Sequence, residues 1–348
     1  MDIVLCSNCF SDQGLRIDAE RIGEARDSDC PNCGARSGRK LTGDRVGELA
    51  QGFFVWGTLH KCDYGAAPIV QFNEHQKTSI SISRWFEKDI ELIGNTLGVG
   101  FFYYGPRLWM VGEVEPLRAL QEEQSREAII HRIVQEYPSV LLDENCVFYR
   151  IRKAPKAPED AGEYDTPPAE FLGAGRLDSH DPPVMYASQD LEVCLHECRV
   201  TAEDELYVAT LSPTRPLNLL DLSCLLSEKY VTEFESLDMA IYMLFLAGKH
   251  SYKICREIAK AARAAGFDGI IYSSYFSLLR TGTKPFETAY GISFRRFPQL
   301  REYEQAKSIP NFALFGRPIK EQSVAVRCIN KLILSHVSYG FHFGPVGV

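Results

Sequence analysis

The sequence predicts an α+β fold preceded by a small metal-binding module and a mainly helical segment, and three observations lead there. Two CxxC pairs open the chain, at Cys6-Ser7-Asn8-Cys9 and Cys30-Pro31-Asn32-Cys33. Apolar residues at helical spacing recur through residue 145. From Cys146 onward, short strand-like runs interleave with helical ones. The 348 residues, 45% hydrophobic and 24% charged, have the composition of a globular protein with a real core. No run approaches the roughly 18 apolar residues of a membrane span; the richest, Met239–Ala247, is half that length. The N-terminus lacks the basic and apolar regions of a secretory signal. A soluble, cytoplasmic protein without membrane contact is expected.

Net charge is −8, and it is unevenly spread. Residues 1–145 hold 15 Lys/Arg against 22 Asp/Glu, whereas residues 146–348 are nearly balanced. An acidic front half is a poor match for a phosphate backbone, so nucleic acid stays a minority reading.

Eleven cysteines without a secretion signal point to metal or buried thiols rather than disulfides. Each CxxC turn sets two thiolates on one side of a tight loop, and Gly34 permits the positive φ of such a knuckle. Brought together, Cys6, Cys9, Cys30 and Cys33 make a tetrahedral site of four sulfurs that suits structural zinc. The other seven, Cys62, Cys146, Cys194, Cys198, Cys224, Cys255 and Cys328, are expected in the core.

Helical rhythm over Ile80–Leu97 uses Ile82, Trp85, Phe86, Ile90 and Ile93. Gly98–Pro106 reads as a strand or a buried turn. Pro116 starts a helix over Leu117–Tyr137 that Pro138 ends. This helix carries Arg126 and His131 in an R-x4-H string similar to that of HEPN-class RNases; a solvated helix face is the favoured reading.

In the second half, Val147–Arg152 is strand-like, with Arg150 and Arg152 on one face. A Pro-rich loop follows, then a strand at Pro183–Ser188. Asp190 caps a helix over Leu191–Val200, whose buried stripe is Leu191, Cys194, Leu195 and Cys198. Glu197 sits beside that stripe as a partly desolvated carboxylate. His196 stands between Cys194 and Glu197, but i, i+2 on a helix points the groups apart, so a metal reading there is rejected. Strands are expected at Leu206–Leu211 and Leu217–Leu220, and helices at Leu237–Gly248 and Tyr252–Ala265, the second closed by Gly266. Phe267–Ser274 turns into a further strand. No Gly-x-Gly-x-x-Gly accompanies a βαβ unit, which argues against a Rossmann site.

Five blocks stand in order over residues 146–316: Tyr149-Arg150-Ile151-Arg152, Pro167-Pro168 to Gly175-Arg176, Tyr186 followed by Glu197, Asp268–Ser274, and Asn311-Phe312-Ala313-Leu314-Phe315. Together they resemble the RES-domain family, named for its Arg, Glu and Ser positions. Leu177 stands where the family often has Trp or Met, and 36 residues separate Ser274 from Asn311 where the family is tighter. The intervening Thr281–Pro285 is expected as an exposed loop beside the site. The resemblance implies an ADP-ribosyltransferase-like split β core with flanking helices and an NAD-binding cleft. It also implies NAD degradation by a toxin held in check by an antitoxin.

On that reading Glu197, Arg150, Tyr186 and Ser274 are catalytic. Arg150, Arg152, Arg176, Tyr186, Ser274 and Asn311 bind NAD. Breaking the nicotinamide–ribose bond passes through an oxocarbenium-like state that a carboxylate stabilises, and guanidinium forks suit the pyrophosphate. Ser273 is the alternative to Ser274. The expected division is a four-cysteine, zinc-ribbon-like module over 1–40, a mainly helical domain over 41–145, a RES-like catalytic domain over 146–320 and a C-terminal extension over 321–348. The alternatives are an RNA-directed enzyme and a noncatalytic nucleotide- or protein-binding module.

Overall fold

The computed structural model describes residues 2–62, 65–81, 83–104, 114–283, 287–289 and 292–347. Contacts gather the chain into two compact units. One comprises Met1–Cys62, Ala66–Leu108 and Ser338–Val348; the other comprises Asp63–Gly65 and Trp109–Val337.

The first unit contains β1 (Ile3–Cys6), α1 (Gln13–Ile22), β2 (Lys40–Thr42), α2 (Gly43–Ala50), β3 (Leu59–Cys62), β4 (Gly65–Pro68), β5 (Val70–Asn73), α3 (Glu87–Leu97) and β6 (Gly100–Tyr103). β1 pairs with β2 and β5 with β6, both antiparallel. Leu5, Leu15, Leu41, Phe53, Phe54, Phe86, Ile93 and Phe101 form one core, so the first 40 residues share apolar cover with the segment that follows. Cooperation of this kind is what a module too small to build its own core requires. The last residues join it: Phe343 packs on this core, and its N–H donates to Asp18 Oδ2 at 3.0 Å. A side chain at Gly57 would meet Gly344 Cα at 2.5 Å, so this close approach needs glycine.

The helix expected over Ile80–Leu97 begins only at a 3-10 turn, Arg84–Phe86, and Ile80, Ser81 and Ser83 before it are not helical. The backbone here is engaged elsewhere: Ser81 N–H donates to the Tyr103 hydroxyl at 3.0 Å, and just before the segment Ser79 N–H donates to Phe101 O at 2.8 Å. Phe86, Ile90 and Ile93 are buried as expected, whereas Trp85 is 62% exposed. Ile82 lies outside the described residues.

The second unit contains α4 (Glu115–Gln121), α5 (Glu123–Glu136), β7 (Ser139–Leu142), β8 (Phe148–Lys153), β9 (Val184–Ser188), α6 (Leu191–Glu197), β10 (Leu206–Pro213), β11 (Leu217–Asp221), α7 (Leu237–Leu246) and α8 (Tyr252–Ala264). It continues with β12 (Gly269–Ser273), α9 (Ser277–Thr281), β13 (Thr288–Ala289), β14 (Ile292–Ser293), α10 (Arg301–Ala306), β15 (Pro310–Phe315) and β16 (Val324–Leu332). Eight strands form one sheet in the order β16-β10-β8-β9-β15-β12-β11-β7. All neighbours are antiparallel except β11 and β12. The α+β expectation is borne out.

Several boundaries moved. The single helix expected over Leu117–Tyr137 is two, because Glu122 is extended (ψ 125°) and breaks it. Both helices pack on the core of the second unit through Leu117, Leu120, Ile130 and Ile133. The C-terminal extension divides between the two units: β16 pairs along the whole of β10, and Ser338–Val348 groups with the first unit. Helix α6 stops at Glu197, and Arg199 turns left-handed (φ 47°). Helix α7 carries most of the apolar run Met239–Ala247, and Leu237–Phe245 are all buried, which makes it a core helix. Gly266 (φ 89°) closes α8 as expected. Among the described residues no helix is long and apolar enough to cross a membrane.

Candidate functional site

Two sites take shape, one in each unit. In the first, β1 ends at Cys6 and the next three residues make a 3-10 turn that returns Cys9. The second knuckle closes through Gly34 N–H on Cys30 O at 2.8 Å, with Gly34 at φ 70°. The buried Lys40 ammonium holds the following loop by donating to the carbonyls of Ala35, Arg36 and Ser37. Sulfur–sulfur distances are 3.8 Å for Cys6–Cys9 and 3.6 Å for both Cys6–Cys33 and Cys9–Cys30. Thiolates at about 2.3 Å from a tetrahedral metal stand about 3.8 Å apart, so the four sulfurs fit such an ion. Asn32 Nδ2 donates to Cys9 Sγ at 3.4 Å, as a thiolate ligand would accept. The cluster fits the zinc ribbon expected from the spacing.

Of the other cysteines, Cys194 and Cys255 are buried, and Cys146, Cys198 and Cys224 are half-buried. Cys328 is exposed instead of in the core, because it lies on the edge strand β16. The Cys62 side chain lies outside the described residues.

The second site is built by a flaw in the sheet. β8 and β9 share one residue pair, Tyr149 with Ser188, and then part. A cleft of about 450 Å³ lies there, lined by Arg150, Arg152, Arg176, Tyr186, Glu197 and Asn311 among others. Arg150 bridges the gap: its guanidinium donates to Tyr186 O on β9 and to Asp165 O at 3.1 Å. Arg152, two residues on and on the same face, donates to Glu163 O at 2.7 Å and Asp165 O at 2.6 Å. Arg176 donates to Leu244 O, Ala247 O and Ser251 Oγ, and lies 4.9 Å from the Tyr252 ring centre. It thereby also closes the C-terminal end of α7, where a cation suits the exposed carbonyls. Among the described residues none of these three arginines has a carboxylate in ion-pair contact. Burial, and then the neighbouring Arg152, pull the Arg150 pKa down to about 9.

The one carboxylate named for this cleft, Glu197, is held from two strands. Ser274 Oγ donates to Glu197 Oε1 at 2.6 Å and Asn311 Nδ2 donates to the same oxygen at 2.7 Å. Ser274 follows β12 and Asn311 lies on β15, so antiparallel pairing of these neighbours brings the two donors together. Glu197 is exposed to the cleft instead of partly desolvated, because α6 ends there and leaves the side chain uncovered.

The Tyr186 hydroxyl is committed to the fold. It accepts from Leu177 N–H at 2.7 Å and Asp178 N–H at 3.0 Å and contacts Asp178 Oδ1 at 3.3 Å. Burial raises its pKa well above the usual tyrosine range. Leu177 is fully buried in the core, so its difference from the family pattern is absorbed there.

Six of the seven expected residues therefore line one cleft, and the seventh, Ser274, abuts it through Glu197. Ser273 turns away to Ser308, leaving Ser274 as the serine beside Glu197. Arg126 and His131 are not part of any such site. The Arg126 guanidinium is buried, donating to Leu120 O at 2.7 Å and Gln121 O at 3.0 Å, and it pairs with Glu257 at 3.0 Å. It caps the last carbonyls of α4, while His131 contacts Gln135. The solvated-face reading holds for His131, which is exposed, and is corrected for Arg126, which is a buried cap.

Sequence reasoning gave no role to Tyr252, Tyr275 or Phe276, which also line the cleft. Tyr272, within the Asp268–Ser274 block, also lines the cleft, and its hydroxyl meets Asn311 Nδ2 at 3.5 Å. Of the loop expected at Thr281–Pro285, Thr281 ends α9 and with Gly282 is exposed, whereas Thr283 is half-buried; Lys284 and Pro285 lie outside the described residues.

Residues 147–298, within the second unit, match the family model of the RES domain, a span that holds four of the five blocks; the Asn311–Phe315 block lies beyond it. That family implies the ADP-ribosyltransferase-like fold, and β8 and β9 part as a split core would. A chain in the crystal structure of the M. tuberculosis MbcT-MbcA toxin-antitoxin complex is similar at TM-score 0.29 and 13% identity, over 59% of this chain and 91% of that one. No curated protein matches.

Proposed function

We propose that the cleft binds NAD and cleaves the bond between nicotinamide and ribose. The observation that carries this reading is Glu197 Oε1 held by Ser274 and Asn311, in a cleft whose guanidiniums have no carboxylate partner among the described residues. Both bonds fall on Oε1, which fixes the carboxylate while Oε2 has no hydrogen bond among the described residues. A carboxylate so held stabilises positive charge developing on the ribose, or orients its 2′-hydroxyl. Arg150, Arg152 and Arg176 supply the cationic wall for the pyrophosphate.

Two further atoms support a polar ligand. Arg150 Nε, a donor, and Asn311 Oδ1, an acceptor, are buried without a protein partner. The Asn311 orientation follows from chemistry, since a carboxylate only accepts and so takes the amino group. An orphaned buried polar atom is costly until a ligand or water meets it. Tyr186 contributes its ring to the wall while its hydroxyl pins the Gly175–Asp178 loop.

The acceptor is water, phosphate or a macromolecular group. An NAD-consuming toxin of this kind acts in the cytoplasm and needs restraint, which an antitoxin supplies in the family. Cys6, Cys9, Cys30 and Cys33 hold structural zinc, whose binding energy folds the knuckles. The test is nicotinamide release from NAD by purified protein beside Glu197→Ala. Release that depends on Glu197 supports the reading, and added phosphate separates phosphorolysis from hydrolysis. Saturable NAD binding without turnover would instead mark a binding module.

A further inference from the structure

The segment that separates Ser274 from Asn311 begins by gripping α6. Phe276 N–H donates to Ser274 Oγ at 3.1 Å. A serine hydroxyl has one proton, so with that lone pair occupied the proton is directed to Glu197 Oε1. The Phe276 ring lies 5.8 Å from the His196 imidazole at an interplanar angle of 19°, stacked on the residue next to Glu197. One turn further, Arg280 Nε reaches Glu192 at 2.8 Å and Asp190 at 3.5 Å. Asp190 is the N-cap of α6, so both ends of this helix are held by residues 276–280.

That grip matters because α6 has only seven residues. A helix so short has little stability of its own and takes its position from packing. On its other side it rests on β8 through weak thiol contacts, Cys194 Sγ to Tyr149 O at 3.4 Å and Cys198 Sγ to Ile151 O at 3.8 Å. The gripping segment is itself fastened to the strand that carries Asn311. Ser274 N–H donates to Ile309 O and Ile309 N–H to Ser277 Oγ, both at 2.9 Å.

We propose that Phe276 and Arg280 are positioning residues for Glu197, with the start of this segment serving as a clamp on α6. The inference rests on the reading of Glu197 as the group that acts on NAD. Neither residue touches the reacting bond; both act through the carboxylate.

The experiment uses the full chain and four variants: Phe276→Ala, Phe276→Tyr, Arg280→Glu, and Arg280→Glu combined with Glu192→Arg. Nicotinamide release gives kcat and KM, and hydrogen exchange reports on residues 190–198. Phe276→Ala is expected to lower kcat about ten- to a hundredfold while KM moves less than about threefold. Phe276→Tyr keeps most of the activity. Arg280→Glu lowers kcat less, and the charge exchange with Glu192→Arg restores it. Exchange accelerates over 190–198 and stays unchanged in β10 and α7. An unaltered kcat in Phe276→Ala overturns the positioning role whatever the exchange shows. If the parent protein releases no nicotinamide, the NAD reading fails by itself. The exchange data then decide the clamp: acceleration confined to 190–198 upholds it, and none overturns it.

Discussion

Arg150 donates to the carbonyl oxygen of Tyr186 across the place where their two strands part. A guanidinium thus stands where the ladder would have supplied a backbone N–H, and the widened gap becomes the cleft. The same side chain closes the fold and lines the cleft, which on the proposed function ties stability to binding at this position.

Arg150→Lys should therefore weaken both. An ammonium keeps the charge but lacks the planar fork that reaches Tyr186 O and Asp165 O together. Hydrogen bonds from charged groups contribute about 1.5–3 kcal/mol, so a loss of about that size is expected in denaturant unfolding. Isothermal titration should show NAD affinity falling about tenfold or more; unchanged affinity would remove Arg150 from the binding wall.

The adjacent serines should separate cleanly. Ser274→Ala removes a donor from Glu197 Oε1 and is expected to lower kcat for nicotinamide release about tenfold to a hundredfold. Ser273→Ala loses only its contact with Ser308 and should leave kcat within about twofold. Equal effects in the two variants would contradict the assignment.

Arg126→Ala should destabilise without touching chemistry. It uncovers the Leu120 and Gln121 carbonyls and leaves Glu257 unpaired, which places the cost at about 2–4 kcal/mol. Nicotinamide release per folded molecule should be unchanged. A ribonuclease activity abolished by this variant would restore the RNA-directed reading.

Metal removal should act on the first unit. One zinc per chain is expected by elemental analysis, lost in Cys30→Ser or with a strong chelator. Hydrogen exchange should then accelerate over residues 3–42, since Cys6, Cys9, Cys30 and Cys33 join segments held otherwise by the short β1–β2 pair and the Glu24–Lys40 bridge. A full complement of zinc in Cys30→Ser would place the metal elsewhere.

The local pattern of the chain was enough for much of this. The two CxxC pairs marked the four-sulfur cluster because a knuckle is a short-range object whose geometry lies within four residues. Asp190 was legible as a cap for the same reason, and five spaced blocks carried the RES resemblance. What lay out of reach was long-range: that β8 and β9 part after a single pair, that Ser274 and not Ser273 meets Glu197, and that Arg126 caps the helix before its own. Each depends on which strand or helix lies alongside, and pairing is decided by the burial of whole faces. Helical projection also misjudged Glu197, because exposure at a helix end is set by what the neighbouring chain leaves uncovered. The sequence by itself determined which chemical groups this protein carries and the local turns that present them. Tertiary structure decided which of them meet, since the contacts that bring Glu197, Ser274 and Asn311 together span 77 and 114 residues.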